Sequence, residues 1–383
     1  MNRSWVGEVR TSLDACAVSV RKTLPYHVPL YVCAIGFCVI SFAITETYGV
    51  PMRLGAGSFF FGMVGEFAAL ALGLLAALEF AILARKGFPA KPFEIIGRQL
   101  SGWLLRGDRP GNIFHSLILF PILTISFCAL KDNIPRINPF SWDKTFMQFD
   151  RWVSFGSTPW QVLQPVLGPL HVTPAINVAY NVWFLVLFGV LFWQAFSTKT
   201  SAKRLQYLLA YSLAWFVAGN LLAVVFSSAG PCFYGRLHIG PDPYAAQMAF
   251  LRYRSLHWPA WAFVMQDISV QDLLWDMYKT RSGDLGGISA MPSMHIVTSV
   301  LMMILAWSTN RKLGIAFTVF TAMIIVGSIR LGWHYVADDL AGIGLAALFW
   351  MVSGYVAAAW HRYLERTRPK SEALMGGAIP TEA

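Results

Sequence analysis

The sequence predicts an all-α integral membrane protein of about eight transmembrane helices. Composition is the first reason: of 383 residues, 56% are hydrophobic and only 13% charged, where a soluble domain carries roughly 25% charged residues. The mean hydropathy of +0.52 is the second. The third is that apolar runs of about 20 residues, the length that crosses a bilayer as a helix, recur along the whole chain. Lipid offers no partner to an unpaired backbone N–H or C=O, so each crossing is expected to be helical.

In order, the runs cover 28–47, 58–84, 112–130, 174–196, 207–228, 291–308, 313–331 and 339–360. Residues 1–26 are too polar for a cleaved signal peptide, and no small-residue cleavage site follows the first run, which therefore reads as a retained anchor. Segment 85–111 mixes Phe93, Ile95, Ile96, Leu100, Trp103 and Leu104 with basic residues and is expected to lie along a membrane surface. Segment 131–173 carries Trp142, Phe146, Phe149, Trp152 and Trp160, spaced as for an interfacial helix under aromatic anchors. The segment 229–289 is also long. Connections of this length in a compact bundle are usually functional.

The net charge is +10. Its basic residues are spread over short segments between apolar runs, a pattern of membrane topology and not of a nucleic acid partner. An even number of crossings puts both termini on one side. Arg3, Arg10, Arg85, Lys86, Lys199, Lys203, Arg311, Lys312 and Arg362 mark that side as inner, while Asp132, Asp143, Asp150, Asp242, Asp267 and Asp272 fall outside. A bacterial inner membrane with the outer segments in the periplasm fits this arrangement, as would an endomembrane with a lumenal face. The five cysteines form no CxxC pair, so neither a disulfide framework nor a zinc site is implied.

Chemistry concentrates in Ala290-Met-Pro-Ser-Met-His295 and Arg330-Leu-Gly-Trp-His334-Tyr-Val-Ala-Asp338. One out-and-back apolar pass between them returns both histidines to the outer face. His334 and Asp338 stand at i, i+4, so on a helix the carboxylate can hold one imidazole nitrogen and leave the other nucleophilic. Pro292 and Ser293 open a span whose helix N-terminus attracts an anion, and Gly286 and Gly287 allow close backbone approach to a phosphate. Arg330, one turn before His334, and Arg236, after Gly230-Pro231, are candidate bidentate phosphate clamps. Three readings stay open on these residues. They are phosphoryl chemistry through His334, a metal-dependent lipid hydrolase with His295, His334 and Asp338 as ligands, and a non-enzymatic phospholipid-binding or transport protein.

These stretches resemble the type 2 phosphatidic acid phosphatase (PAP2) superfamily. Pro292-Ser-Met-His295 is similar to its Pro-Ser-Gly-His motif, with methionine in place of glycine. The stretch Gly327 to Asp338 is similar to its Ser-Arg-x5-His-x3-Asp motif at His334 and Asp338, although the arginine position falls on Ser328 and Arg330 comes two residues later. Of the first family motif, Lys-x6-Arg-Pro, only Gly230-Pro231 with Arg236 stands at the matching place. The Ala-Met-Pro-Ser-Met-His wording resembles the inositol phosphorylceramide synthase branch. The resemblance implies a six-helix catalytic core over 112–362, preceded by two extra helices and the inner interfacial segment in 1–111. A tail over 363–383 is expected to be disordered. It further implies that His334 attacks phosphorus to form a phosphohistidine, that Asp338 orients it, and that His295 serves as acid and then base. Arg330, Arg236 and Ser293 are expected to hold the phosphate oxygens. No metal or other cofactor is implied; the partners are the membrane, a lipid phosphate and, in that branch, a lipid alcohol acceptor.

Overall fold

A computed structural model describes residues 3–50, 55–87, 89–168, 172–257, 267–280 and 287–367, with side chains from residue 12 onward. Among the described residues every regular element is helical. Seven segments among the described residues are long and apolar enough to cross a membrane. They are α1 (Arg3–Thr47), α2 (Ala56–Arg85), α4 (Arg109–Lys131), α8 (Val172–Ala195), the continuous segment Ala202–Val225, α14 (Arg311–Arg330) and α15 (Val336–Thr367). The segment Ala202–Val225 is α9 (Ala202–Leu213), a π-helical stretch (Ala214–Leu222) and the single turn α10 (Ala223–Val225).

The remaining expected crossing, α13 (Met294–Trp307), has only 14 residues. At 1.5 Å per residue it is about 21 Å long, short of the roughly 30 Å hydrocarbon core. The Asn310 side chain caps α14, accepting from the Leu313 N–H at 2.9 Å. Only residues 308–310 separate α13 from α14, so the two run antiparallel from a common end. The longer α14 then overshoots α13, which leaves the N-terminus of α13, with His295, recessed.

The first helix differs from expectation. It begins at Arg3, well before the apolar run at 28, and polar residues in its N-terminal half are buried against α4 and α9. Arg204 Nη2 donates to His27 Nε2 at 3.2 Å, so His27 Nδ1–H donates to the Thr23 carbonyl at 2.9 Å. Beside it, His115 Nε2–H donates to the Val20 carbonyl at 3.1 Å and leaves Nδ1 to accept from Tyr31 Oη at 2.9 Å. Buried polar groups need such partners, and these lock α1 into the bundle. The last helix also runs further than expected, through Thr367; residues 368–383 lie outside the described residues.

Segment 85–111 contains α3 (Pro92–Leu104), with Ile96 buried and Phe93 exposed. Segment 131–173 is not one interfacial helix but three short ones, α5 (Ile134–Ile137), α6 (Asp143–Val153) and α7 (Pro159–Leu167). Trp152 on α6 is exposed, whereas Phe146 on its opposite face is buried, with its ring 5.8 Å from that of Tyr335. The segment 229–289 provides a 3-10 helix (Pro231–Leu237), α11 (Ala245–His257) and α12 (Asp267–Thr280); Arg281 and Gly286 lie outside the described residues.

Candidate active site

The two histidines meet. The His295 and His334 ring centroids are 5.9 Å apart, with the planes at 61°. His295 is the second residue of α13, directly after the extended Ser293 that precedes the helix. Its imidazole is stacked on Tyr180 (4.3 Å, 20°) and tilted against Trp183 (4.0 Å, 36°), both from α8. Two aromatic faces confine the ring, each contact being worth about 0.5–1.5 kcal/mol.

His334 precedes α15 and is not itself helical, so the expected stacking of His334 and Asp338 on one helix face is not what orients it. Gly332, at φ +77°, turns the chain after α14. His334 Nδ1–H then donates to the Ala290 carbonyl oxygen at 2.9 Å. A carbonyl can only accept, so the proton is on Nδ1 and the Nε2 lone pair is free. Asp338 Oδ2 lies 3.5 Å from the same Nδ1 and accepts instead from the Tyr335 N–H at 2.8 Å, the backward bond of a capping box in the first turn of α15. Burial lowers the His334 pKa to about 4; the Asp339 carboxylate and the Ala290 hydrogen bond oppose that shift, and the charge of Lys131 adds to it. At neutral pH the imidazole is therefore unprotonated at Nε2.

Ser293 is fully buried, and its N–H donates to the Asp338 carbonyl at 3.2 Å. It stands where an anion at the α13 N-terminus would be met. The two arginines expected at the phosphate are placed elsewhere. Arg330 is buried between α7, α8 and α11, donating to Gln164 Oε1 and, at 3.0–3.1 Å, to Thr173 Oγ1, with its guanidinium 4.8 Å from the Phe250 ring centroid. The turn at Gly332 carries His334 away from the line of α14, so the one-turn spacing on a helix does not hold. Arg236 forms an ion pair with Asp272, which Arg252 shares.

A cavity of about 500 Å³ opens onto both imidazoles. Its walls are mainly aromatic and aliphatic, from α2 (Phe59, Phe60), α4 (Phe120, Phe127), α8 and the π-helical stretch (Trp215). Among the described residues, the charged ones lining it are Lys131 at the end of α4 and Asp267 at the start of α12. Asp267 is buried, and burial raises its pKa to about 7.

Several buried residues next to these histidines carried no motif signal. Asp143 and Asp150 on α6 are buried beneath the site. Asp143 accepts from the Ala229 and Gly230 N–H groups at 2.9–3.0 Å and from Tyr335 Oη at 2.8 Å. Asp150 accepts from the Val336 N–H at 2.9 Å and from Tyr244 Oη at 2.8 Å; burial raises its pKa to about 7 despite these donors. Asp339, next to Asp338, is buried and accepts from Ser328 Oγ. Gly230 has φ +106°, and a Cβ there would lie 2.6 Å from the Trp333 carbonyl oxygen, so glycine lets this chain pass the His334 turn. Among the described residues no cluster of three or more His, Cys, Asp or Glu side chains is spaced to hold a metal ion.

Residues 144–352, more than half of the chain, match the family model described as the PAP2 superfamily. No curated protein and no solved structure matches the chain. The matched stretch contains both histidines and both aspartates of the 334–339 turn, and leaves α1 to α5 outside.

Proposed function

The chain belongs to the PAP2 superfamily, and we propose that it cleaves a lipid phosphate ester through a phosphohistidine on His334. The observation that carries this reading is the His334 tautomer: Nδ1–H is fixed on the Ala290 carbonyl at 2.9 Å, and Nε2 is free at a cavity shared with His295. Nε2 attacks phosphorus, the P–O bond to the leaving group breaks, and the leaving oxygen takes a proton from His295. The neutral His295 then takes a proton from an incoming water or alcohol. Its oxygen bonds phosphorus, and the P–N bond breaks to restore His334. Asp338 organises the first turn of α15 beside the ring. Ser293 and the α13 N-terminus receive a phosphate oxygen.

Transfer of a phospho-headgroup to a lipid alcohol is the form of the reaction that the cavity supports best. Its apolar walls reach from the histidines to α2, giving an acyl chain a place to lie and little to hold water. The likeness of Ala290–His295 to the inositol phosphorylceramide synthase branch points the same way. The distribution of lysine and arginine puts the site on the outer face, which in a bacterial inner membrane is the periplasmic one.

The test is product release from headgroup-labelled phospholipids by the purified protein in detergent with EDTA, with and without ceramide or diacylglycerol. Label appearing on the acceptor supports transfer, and release into water supports hydrolysis. Undiminished turnover by His334→Ala would sink the phosphohistidine.

A further inference from the structure

We propose that Lys131 binds the phosphate of the lipid substrate, an assignment that deepens the phosphoryl-transfer reading of the same site and rests on it. A phosphohistidine mechanism needs a cation against the equatorial oxygens, because charge on the phosphoryl group must be stabilised in a pocket from which water is excluded. Arg330 and Arg236 are held on Gln164, Thr173 and Asp272. Among the described lining residues, Lys131 is the one lysine or arginine that shares the cavity with His295 and His334.

The backbone shows how it is delivered. Lys131 Nζ points to the Ser289 carbonyl at 3.5 Å, and the next carbonyl, that of Ala290, holds His334 Nδ1 at 2.9 Å. Lys131 and His334 are thus both tied to the same short stretch, 289–290, and both line the cavity. The stretch is itself pinned, since the Ala290 N–H donates to the Ser228 carbonyl at 2.9 Å. It also presses on the end of α4. A Cβ at Gly287 would lie 2.1 Å from the Lys131 carbonyl oxygen and 2.4 Å from its carbonyl carbon, so only glycine permits this contact. The ammonium has three donors. The Ser289 carbonyl takes at most one of them, and at 3.5 Å only weakly, which leaves the others for an anion. Lys131 precedes the family match at 144–352, so the helices N-terminal to the matched core contribute to the site.

The experiment is a titration of inorganic phosphate into the full-length protein in detergent, followed by fluorescence of the cavity tryptophans Trp183, Trp215 and Trp333. It is done in a His334→Ala background, so that no adduct forms, and compares Lys131 with Lys131→Met, Lys131→Gln and Lys131→Arg. Removing one charged hydrogen-bond partner is expected to weaken phosphate about 10- to 100-fold in Lys131→Met and Lys131→Gln. Lys131→Arg, which keeps the charge, is expected to stay within about fivefold. The glutamine variant can still donate to Ser289, so it separates loss of charge from loss of the local contact. Phosphate affinity in the glutamine variant equal to that of the parent would overturn the assignment, as would the absence of saturable binding by the parent. The titration needs no turnover. A full loss of affinity in the Lys131 variants alongside undiminished turnover of His334→Ala would sink the phosphohistidine and leave the phosphate site at Lys131 standing.

Discussion

The Nδ1–H of His334 donates to the main-chain oxygen of Ala290 at 2.9 Å, and no side chain makes that bond. A carbonyl fixed between Ser228 and the α13 turn thus does the work usually given to a carboxylate. Asp338→Asn is therefore expected to cost only about 10- to 100-fold in kcat, because an asparagine oxygen can still accept from the Tyr335 N–H. Where a carboxylate alone sets the tautomer, the same change costs about 10⁴-fold. Single-turnover rates of Asp338→Asn beside the wild type check this, and a loss near 10⁴-fold would return the orienting role to Asp338.

Asp143 satisfies three donors from two other parts of the chain. Asp143→Ala leaves them buried and unpaired, at about 1–3 kcal/mol for each group. A clear fall in the thermal midpoint in detergent is expected, together with lost activity, since Tyr335 adjoins His334. An unchanged midpoint would show that α6 is not a support of the site.

Arg330 supplies a contrasting case. Its guanidinium ties α14 to Gln164 and Thr173, so Arg330→Met, which leaves those groups without their donor, is expected to lower stability by about 1–3 kcal/mol, while the folded fraction keeps its KM. A raised KM at unchanged stability would restore Arg330 to the phosphate.

Two of the groups that line the cavity contribute limbs to its pH dependence that variants can separate. His334, lowered by burial to about 4, takes up a proton only below that value. On a phosphodiester lipid, the acid limb of kcat/KM that belongs to this residue should fall near pH 4 and not near the 6.5 of a free imidazole. Asp267, raised by burial to about 7, is neutral below that pH and a carboxylate above it. A negative charge in the same cavity opposes binding of a phosphate, so KM is expected to rise through pH 7 more steeply in the wild type than in Asp267→Asn. Identical profiles for the two proteins would remove Asp267 from the account.

The membrane class, the approximate spans and the pairing of His295 with His334 were legible in the sequence, because length, hydropathy and an out-and-back connection determine them directly. The site's support was not. Asp143, Asp150 and Asp339 act through tertiary contacts, and in the chain they look like the solvated acids of outer segments. Lys131 ends an apolar run next to Asp132, where a lysine reads as an ordinary helix end. Arg330 misled for a related reason. Its spacing from His334 is right for a helix, but Gly332 breaks the helix between them. The early start of α1 was also hidden, since His27 and Thr23 are polar and only their partners on α4 and α9 make them interior residues.

The most direct measurement is to incubate the protein, in EDTA, with a phospholipid labelled at phosphorus, quench in alkali, and map the label by mass spectrometry. The account predicts a base-stable, acid-labile phosphoryl adduct on the peptide bearing His334, absent from His334→Gln and chased off by water or a lipid alcohol. Turnover without such an adduct, or an EDTA-sensitive reaction that survives in His334→Gln, would contradict it.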